Sequence, residues 1–558
     1  MSDSFVIKFN DQFVEPFVLK SIDDFDTAKS NFLDRIKTND KEVCTILNRE
    51  IVANLKRIIC LMPFPLTIVY EPYYVDRIYR DEYYTFYSKK HFGISRNTKR
   101  LVFFRNSYQK KAFLDDSEEI HKKIEEDLIG MVVIKPTQTL GRMLISPFPL
   151  NIPPCYVRTT KFELLVLGKT YSLEAFPFSG QDSEVMTCAE VNMWQIIEYF
   201  GCRYKNYRTL LPSEMLELIT EISDVRLLPS DGLTVEQESR ILKKSGLEPK
   251  IYYKRSDRDN GTYFETYEQY PREPSFEEIL HFYVESGIPV LLNLCEKENV
   301  EGENHSVTCI GHAINNKSHR MEAVDFGYEN AVDKDKSSEY NKLTVLKSWS
   351  AVEGYVIMED HSAPYQIKCL DDLRFDDSED SITYEIESFV VPLYKHVFMA
   401  AEDAYEISIN WIENSMDSII ESLDQNDVKE SREIVIRLFL TTSRSYKQFR
   451  VSRARSVREK VFFSQVAYPK FIWICEYGTQ DTFYRHKAIG EYVMDATASK
   501  HSTPVISIRH AGSITYRGPM EPLEYVLKRR DIPIESEFDM FEQNNLKPTN
   551  MKGDCNNG

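Results

Sequence analysis

No stretch of the chain reaches about 18 consecutive apolar residues without a charge, the length a membrane-crossing helix needs. The nearest, Ile51 to Tyr70, is broken by Lys56 and Arg57 and reads as a core helix followed by a strand. The N-terminus, Met-Ser-Asp-Ser-Phe-Val, has neither the basic start nor the apolar core of a secretory signal. The ten cysteines show none of the paired short spacings of a disulfide framework or a zinc site. P-loops, dinucleotide-binding glycine patterns, internal repeats and low-complexity tracts are missing. Positive charge is in deficit: 69 Lys and Arg against 87 Asp and Glu leave a net charge of -18, which disfavours general affinity for nucleic acid or anionic membranes. The expectation is a protein of the reducing cytoplasm with no membrane partner.

What remains is a chain of 558 residues, too long for one core and rich in Tyr and Phe. Hydrophobic periodicity predicts an α+β, multidomain protein. Residues 1–160 read as an N-terminal α/β domain, with strands at Phe5–Phe9, Leu66–Tyr70, Lys99–Phe104 and Leu128–Lys135 and helices at Ile22–Leu33 and Lys41–Ile59. Asn151-Ile-Pro-Pro154 marks its end, since consecutive prolines stop regular structure. Residues 161–400 read as a central domain in which helices precede strands, the order of a helix packed on an antiparallel sheet. Residues 401–558 read as a C-terminal α/β domain. Helices are predicted there at Ala401–Leu423 and Ser431–Leu440, strands at Val461–Val466, Phe471–Glu476 and Pro504–Arg509, and a frayed tail from Glu542.

The stretch Gln181 to Trp194 organises the central domain. Thr187 followed by Glu190 is a capping-box pattern, which makes Cys188 the first helical residue. Ala189, Met193, Trp194, Ile197 and Phe200 supply an apolar stripe at helical spacing, and Gly201 is the expected C-cap. A thiol in the first turn of a helix sits at the positive end of its dipole, which favours the reactive thiolate. Most free cysteines are inert packing, so the weight falls on what accompanies this one.

A cysteine nucleophile needs a base, a group to orient the base and donors for the oxyanion. His305, opening the run His-Ser-Val-Thr-Cys-Ile-Gly-His312, is the candidate base at a sheet rim. His312 is its rival. Seven positions apart, the two face opposite sides of a regular strand and share one site only across a bulge. Asp360, ending the strand Tyr355–Glu359, is the candidate orienter, and Asp325 in Glu-Ala-Val-Asp-Phe-Gly is the alternative. Gln181, just upstream of the thiol, offers a side-chain amide to the oxyanion beside the Cys188 backbone N–H.

Gln181, Cys188 at a helix start, Gly-Ile-Pro-Val290 before a strand, the Gly-containing strand at His305 and a later strand ending in Asp resemble papain-like cysteine peptidases, with the C39-like group the closest branch. The resemblance covers about residues 160–400. It implies Gln181, Cys188, His305 and Asp360 as the oxyanion, nucleophile, base and orienting residues, no metal or organic cofactor, and a protein or peptide substrate. The flanking domains would recognise substrate or meet a regulatory protein partner. The chain departs from the family in Thr-Cys-Ala around the nucleophile, in a Gln-to-Cys gap one residue longer than usual, and in an apparent insertion from Asn315 to Trp349.

Two other readings accompany the peptidase. One is deamidation or transglutamination on the same triad. The other is an inactive papain-like module that binds protein or nucleic acid. Two basic stretches bear on the latter: Tyr73–Arg100, where cations interleave with aromatics, and Ser443–Lys460. For both, a solvated or internally paired face is the simpler expectation, because no recognisable nucleic-acid motif accompanies them.

Overall fold

The computed structural model describes residues 16–26, 49–182, 184–223, 226–254, 273–297, 299, 304–314, 321, 323–327, 342–375, 381–425, 432–499, 504–510, 513–517, 528–530, 537–542 and 545–549. The predicted strand Phe5–Phe9 and most of the predicted helix Ile22–Leu33 lie outside them. Among the described residues no helix is long and apolar enough to cross a membrane.

Three sheets carry the architecture, which is mixed helix and strand in several layers. The N-terminal sheet runs in the order Phe17–Leu19, Leu66–Tyr74, Thr98–Arg105, Leu128–Ile134, Leu140–Ile145, Lys169–Ser179, Thr160–Val166. The central sheet runs Gln366–Lys368, Val352–Met358, His305–Ile314, Val290–Glu296, Tyr384–Leu393, Glu248–Tyr253. The third begins with the hairpin Ala323–Gly327 and Lys342–Lys347 and continues through Glu433–Thr442, Phe471–Gly478, Gly490–Asp495 and Val505–His510. The first two sheets are antiparallel throughout these orders. In the third, Lys342–Lys347 pairs parallel with Glu433–Thr442. The antiparallel central sheet is as anticipated. The flanking regions are antiparallel α+β rather than α/β, because hairpins or short helical connections join most of their successive strands.

Strand pairing crosses the divisions anticipated at residues 160 and 400. The hairpin 160–179 completes the N-terminal sheet, while Tyr156–Arg158 joins the central one. The segment read as an insertion supplies the first two strands of the third sheet. The tail is docked where it is described: Leu546–Pro548 pairs with Tyr156–Arg158, and the Thr549 N–H donates to the Cys155 carbonyl at 2.8 Å.

Two predicted elements in the C-terminal region exchange type. Residues 431–440, expected helical, form the strand Glu433–Thr442, because a run rich in β-branched and aromatic side chains lies between two partner strands and is mostly buried. Residues 461–466, expected extended, belong to the helix Val457–Gln465. There the Ser456 hydroxyl accepts from the Glu459 N–H, and Phe462 and Phe463 are buried.

The cysteine helix, Cys188–Arg203, lies between sheets, against Lys169–Ser179 of the first and His305–Ile314 of the second. It is therefore buried on every side rather than amphipathic, and several of its polar residues find partners inside the protein. The Asn192 side chain bonds to the histidine strand, Glu198 pairs with Arg77 of the N-terminal region, and Glu190 accepts from the Thr187 and Ser230 hydroxyls. Gly201 is not the C-cap. The helix runs on to Arg203, and a Cβ at Gly201 would lie 2.5 Å from the Thr209 nitrogen, so glycine there serves a close chain crossing.

Candidate active site

Thr187 is the N-cap and Cys188 the first residue of the helix, as the capping pattern predicts. The Thr187 hydroxyl, however, bonds to the Glu190 carboxylate and makes no bond to backbone. The loop before the helix is wound around Asp182, whose Oδ1 accepts the backbone N–H groups of Glu184, Val185 and Met186 at 3.1, 2.9 and 2.9 Å. Its other oxygen lies 3.4 Å from the Lys135 ammonium, which also pairs with Glu82 at 2.8 Å. Both N-terminal partners are fully buried. Lys135, just past the end of the central strand Leu128–Ile134 of the N-terminal sheet, thus anchors the loop before Cys188, and loss of one member of such a buried set costs about 3–5 kcal/mol. Gly180 lets this loop cross the sheet, since a Cβ there would come within 2.5 Å of the Leu140 carbonyl oxygen.

A single polar side chain registers the cysteine helix against the histidine strand. Asn192, one turn after Cys188 and fully buried, donates to the carbonyls of Cys188 and Ser306, both at 2.7 Å. Its oxygen accepts from the Thr308 hydroxyl, also at 2.7 Å. Cys188 and Ser306, the residue next to His305, are thereby fixed to one amide group.

The structure brings Gln181, Cys188, His305 and Asp360 to one cleft region. A cleft of about 560 Å³ is lined by Gln181, Cys188, Asn304, His305, Glu359 and His361. Glu50, Asn54 and Arg57 line another part of it, from the polar face of the N-terminal helix Arg49–Cys60. The His305 ring is nearly buried. Its Nε2 lies 3.3 Å from Glu359 Oε1 and 3.8 Å from Asp360 Oδ1. With Nε2 committed to carboxylates, Nδ1 is the ring nitrogen left for the thiol. Burial pushes the His305 pKa down, but the hydrogen bond with Cys188, the one with Glu359 and the Asp360 charge overcome it and raise it to about 10. The ring is thereby favoured in its protonated form, between the Cys188 sulfur and the Glu359 carboxylate.

Glu359 and not Asp360 makes the closer contact with the base. This amends the expectation for the orienter. Against burial, the bonds from His305 and His361 hold Glu359 well below the usual carboxylate range. Asp360 moves the other way. Burial raises it to about 6 against the pull of His305, with the Glu359 charge adding to the rise. Asp325 lies on the strand Ala323–Gly327, paired with Thr344 in the third sheet, a different sheet from the one that carries His305.

Gln181 lines the cleft, yet its amide contacts the His361 ring, 3.3 Å from Nδ1 and closer still to Nε2. His361 Nδ1 in turn lies 3.1 Å from Glu359 Oε1. The amide expected at the oxyanion is engaged with a second histidine. Glu359, His361 and Asn192 were not singled out from sequence. Their signals were present but faint: two ionisable neighbours flanking Asp360, and a polar residue four positions after Cys188 within an apolar helix.

His312 is excluded as the base. The strand does carry a bulge, between Cys309 and Gly311, but the two histidines lie roughly 20 Å apart along it. His312 Nε2 instead bonds to Glu285 at 2.6 Å, which also pairs with Arg437 of the third sheet.

The two basic stretches spend several of their cations internally. Arg77 pairs with Glu198, Lys90 with Glu184 and Arg100 with Glu71. Arg450 is buried against Glu476 and Glu491. No protein-family model matches the chain, and a search of curated proteins finds no match.

Proposed function

We propose that the protein is a thiol hydrolase, a cysteine peptidase of papain-like type acting on a protein or peptide amide. The observation that carries the proposal is the line of three groups, Cys188, His305 and Glu359, opening into a cleft, with the base raised to about 10 by its two hydrogen-bonding neighbours. In this reading the thiol proton already rests on the His305 ring, Nδ1 toward the sulfur, as an ion pair. The thiolate adds to the amide carbonyl, and backbone N–H groups at the helix start receive the oxyanion. The imidazolium then protonates the leaving amine, and water, deprotonated by the same ring, releases the acyl group. Glu359 holds the ring and Asp360 adds negative charge behind it. Deamidation or transglutamination uses the same groups with a different acceptor.

Cys188→Ala is expected to abolish turnover, by on the order of 10⁴-fold or more, while leaving the folded state intact. Iodoacetamide should alkylate Cys188 faster near neutral pH than the exposed Cys60, Cys202 and Cys369. Equal alkylation of all four, read by peptide mass mapping, would sink the activated-thiol reading.

A further inference from the structure

We propose that His305, Glu359, Asp360 and His361 form a binding site for one divalent transition-metal ion, and that its occupation switches the thiol chemistry off. The switch, unlike the binding, rests on the thiol-hydrolase reading. A cysteine nucleophile needs one imidazole and one carboxylate. Here the cleft holds two of each, and the second pair is surplus to that chemistry.

The donor atoms of the four residues all lie within 4.8 Å of one another. His305 Nε2 is 3.3 Å from Glu359 Oε1 and 3.8 Å from Asp360 Oδ1. His361 Nδ1 is 3.1 and 3.6 Å from the same two oxygens. An ion about 2.0–2.2 Å from four N and O ligands in a tetrahedron separates those ligands by about 3.3–3.6 Å. These four spacings bracket that range, and with every donor within 4.8 Å of the others an ion would draw the set together by no more than about 1.5 Å.

A second observation points the same way. Asp360 is only 6 % exposed, yet neither of its carboxylate oxygens has a hydrogen-bond partner among the described residues, and neither does Glu359 Oε2. Buried carboxylate oxygens are normally bonded. Two adjacent buried carboxylates aimed at two imidazoles leave a place that a doubly charged cation neutralises. The set holds two imidazole nitrogens and two carboxylates, which suits Zn²⁺ or a similar transition ion better than Ca²⁺, which prefers oxygen alone. His361 is half exposed at the cleft, which gives the ion a way in.

The effect on the thiol follows from the imidazole. An ion on Nε2 takes that nitrogen's lone pair, so the neutral ring carries its proton on Nδ1. That nitrogen faces the thiol and is then a donor, unable to accept the thiol proton. Metal entry also takes Glu359 from its orienting role.

The test is calorimetric titration of Zn²⁺ into the chelator-treated full chain, beside Cys188→Ala, Asp360→Asn and His361→Ala. Since other thiols are present, the difference between proteins is read rather than total uptake. One equivalent should bind wild type and Cys188→Ala alike and weaken by at least ~10-fold in the other two. Zn²⁺ should slow iodoacetamide labelling of Cys188 by at least ~10-fold, with chelator restoring it. His361→Ala, at a half-exposed position, keeps the site testable if Asp360→Asn does not fold. Unchanged affinity in the variants overturns the site, and binding without slower labelling overturns the switch. Metal-dependent turnover by Cys188→Ala would overturn the switch and the thiol-hydrolase reading together while leaving the site standing.

Discussion

His305 and His312 stand on one strand, both largely buried and both against carboxylates, yet their surroundings assign them opposite work. His305 sits at the strand's start, where the sheet rim opens into a cleft and a helix N-terminus brings a thiol to it. His312 sits near the other end, enclosed by the Tyr156 and His281 rings and bonded to Glu285, which is clamped by Arg437. At the neighbouring His281 burial, with the His312 charge adding to it, outweighs the pull of Glu285 and lowers the pKa to about 3. His305 stands against a thiol at a cleft, and His312 ties the central sheet to the third. A histidine–carboxylate pair alone therefore marks no site. What distinguishes the two is the thiol beside His305 and its place in the cleft lining.

The sharpest way to break that contrast is to remove each ring in turn. His305→Ala should slow thiol chemistry by roughly 10³–10⁴-fold, since general acid–base groups contribute on that order, and should also cost stability because the buried Glu359 loses a partner. His312→Ala should show only the second effect. It should leave Cys188 alkylation per folded molecule unchanged and cost about 1–3 kcal/mol of stability, because a buried carboxylate loses one of two partners. Calorimetry and alkylation kinetics on both variants decide it, and a loss of alkylation in both would erase the distinction.

A smaller effect separates the two carboxylates behind His305. Glu359→Gln should slow the reaction by about 10–100-fold, more than Asp360→Asn, because it removes the closer partner. Its pH signature follows from opposite shifts. His305 is raised from 6.5 to about 10, so the stability it contributes is full below pH 6.5 and lost as pH rises through about 10. Glu359 is depressed below 4.5, so its contribution is full above pH 4.5 and lost as pH falls through its lowered value. The stability gap between wild type and Glu359→Gln should be widest between pH 4.5 and 6.5 and close on both sides. A gap independent of pH from 4 to 10, in urea titrations, would mean that the two groups are not paired as charges.

The smallest expected kinetic effect concerns the alignment of helix and strand. Asn192→Ala leaves the Thr308 hydroxyl and two carbonyls without their partner and should cost about 1–3 kcal/mol. It should slow alkylation only about tenfold, within the range expected when positioning is loosened. Asn192→Asp keeps the size but loses the donor, and should restore neither property.

Much of the site was legible before any fold was known. A capping pattern places Cys188 at a helix start, a polar turn before alternating apolar residues places His305 at a strand start, and an apolar run places the acid pair at a strand end. Each of these signals spans a few residues and depends on backbone hydrogen bonding and alternation alone. The choice between Glu359 and Asp360 could not be made that way. Adjacent residues at a strand end differ only in which face they present, and that is set by pairing with residues more than forty positions away. The same limit explains Glu433–Thr442, whose periodicity fits a helix or a buried strand until its two neighbours are placed.

Local pattern alone placed a cysteine at a helix start, a histidine at a strand start and an acidic pair at a strand end. How these are joined came from packing between distant segments. That packing buries the cysteine helix between two sheets, hangs its loop from Lys135, registers it through Asn192 to Ser306 and Thr308, and gathers a second imidazole and carboxylate beside the base. Those contacts link positions between 47 and 116 residues apart, where each partner gains only once the other is in place, so no local pattern along the chain records them.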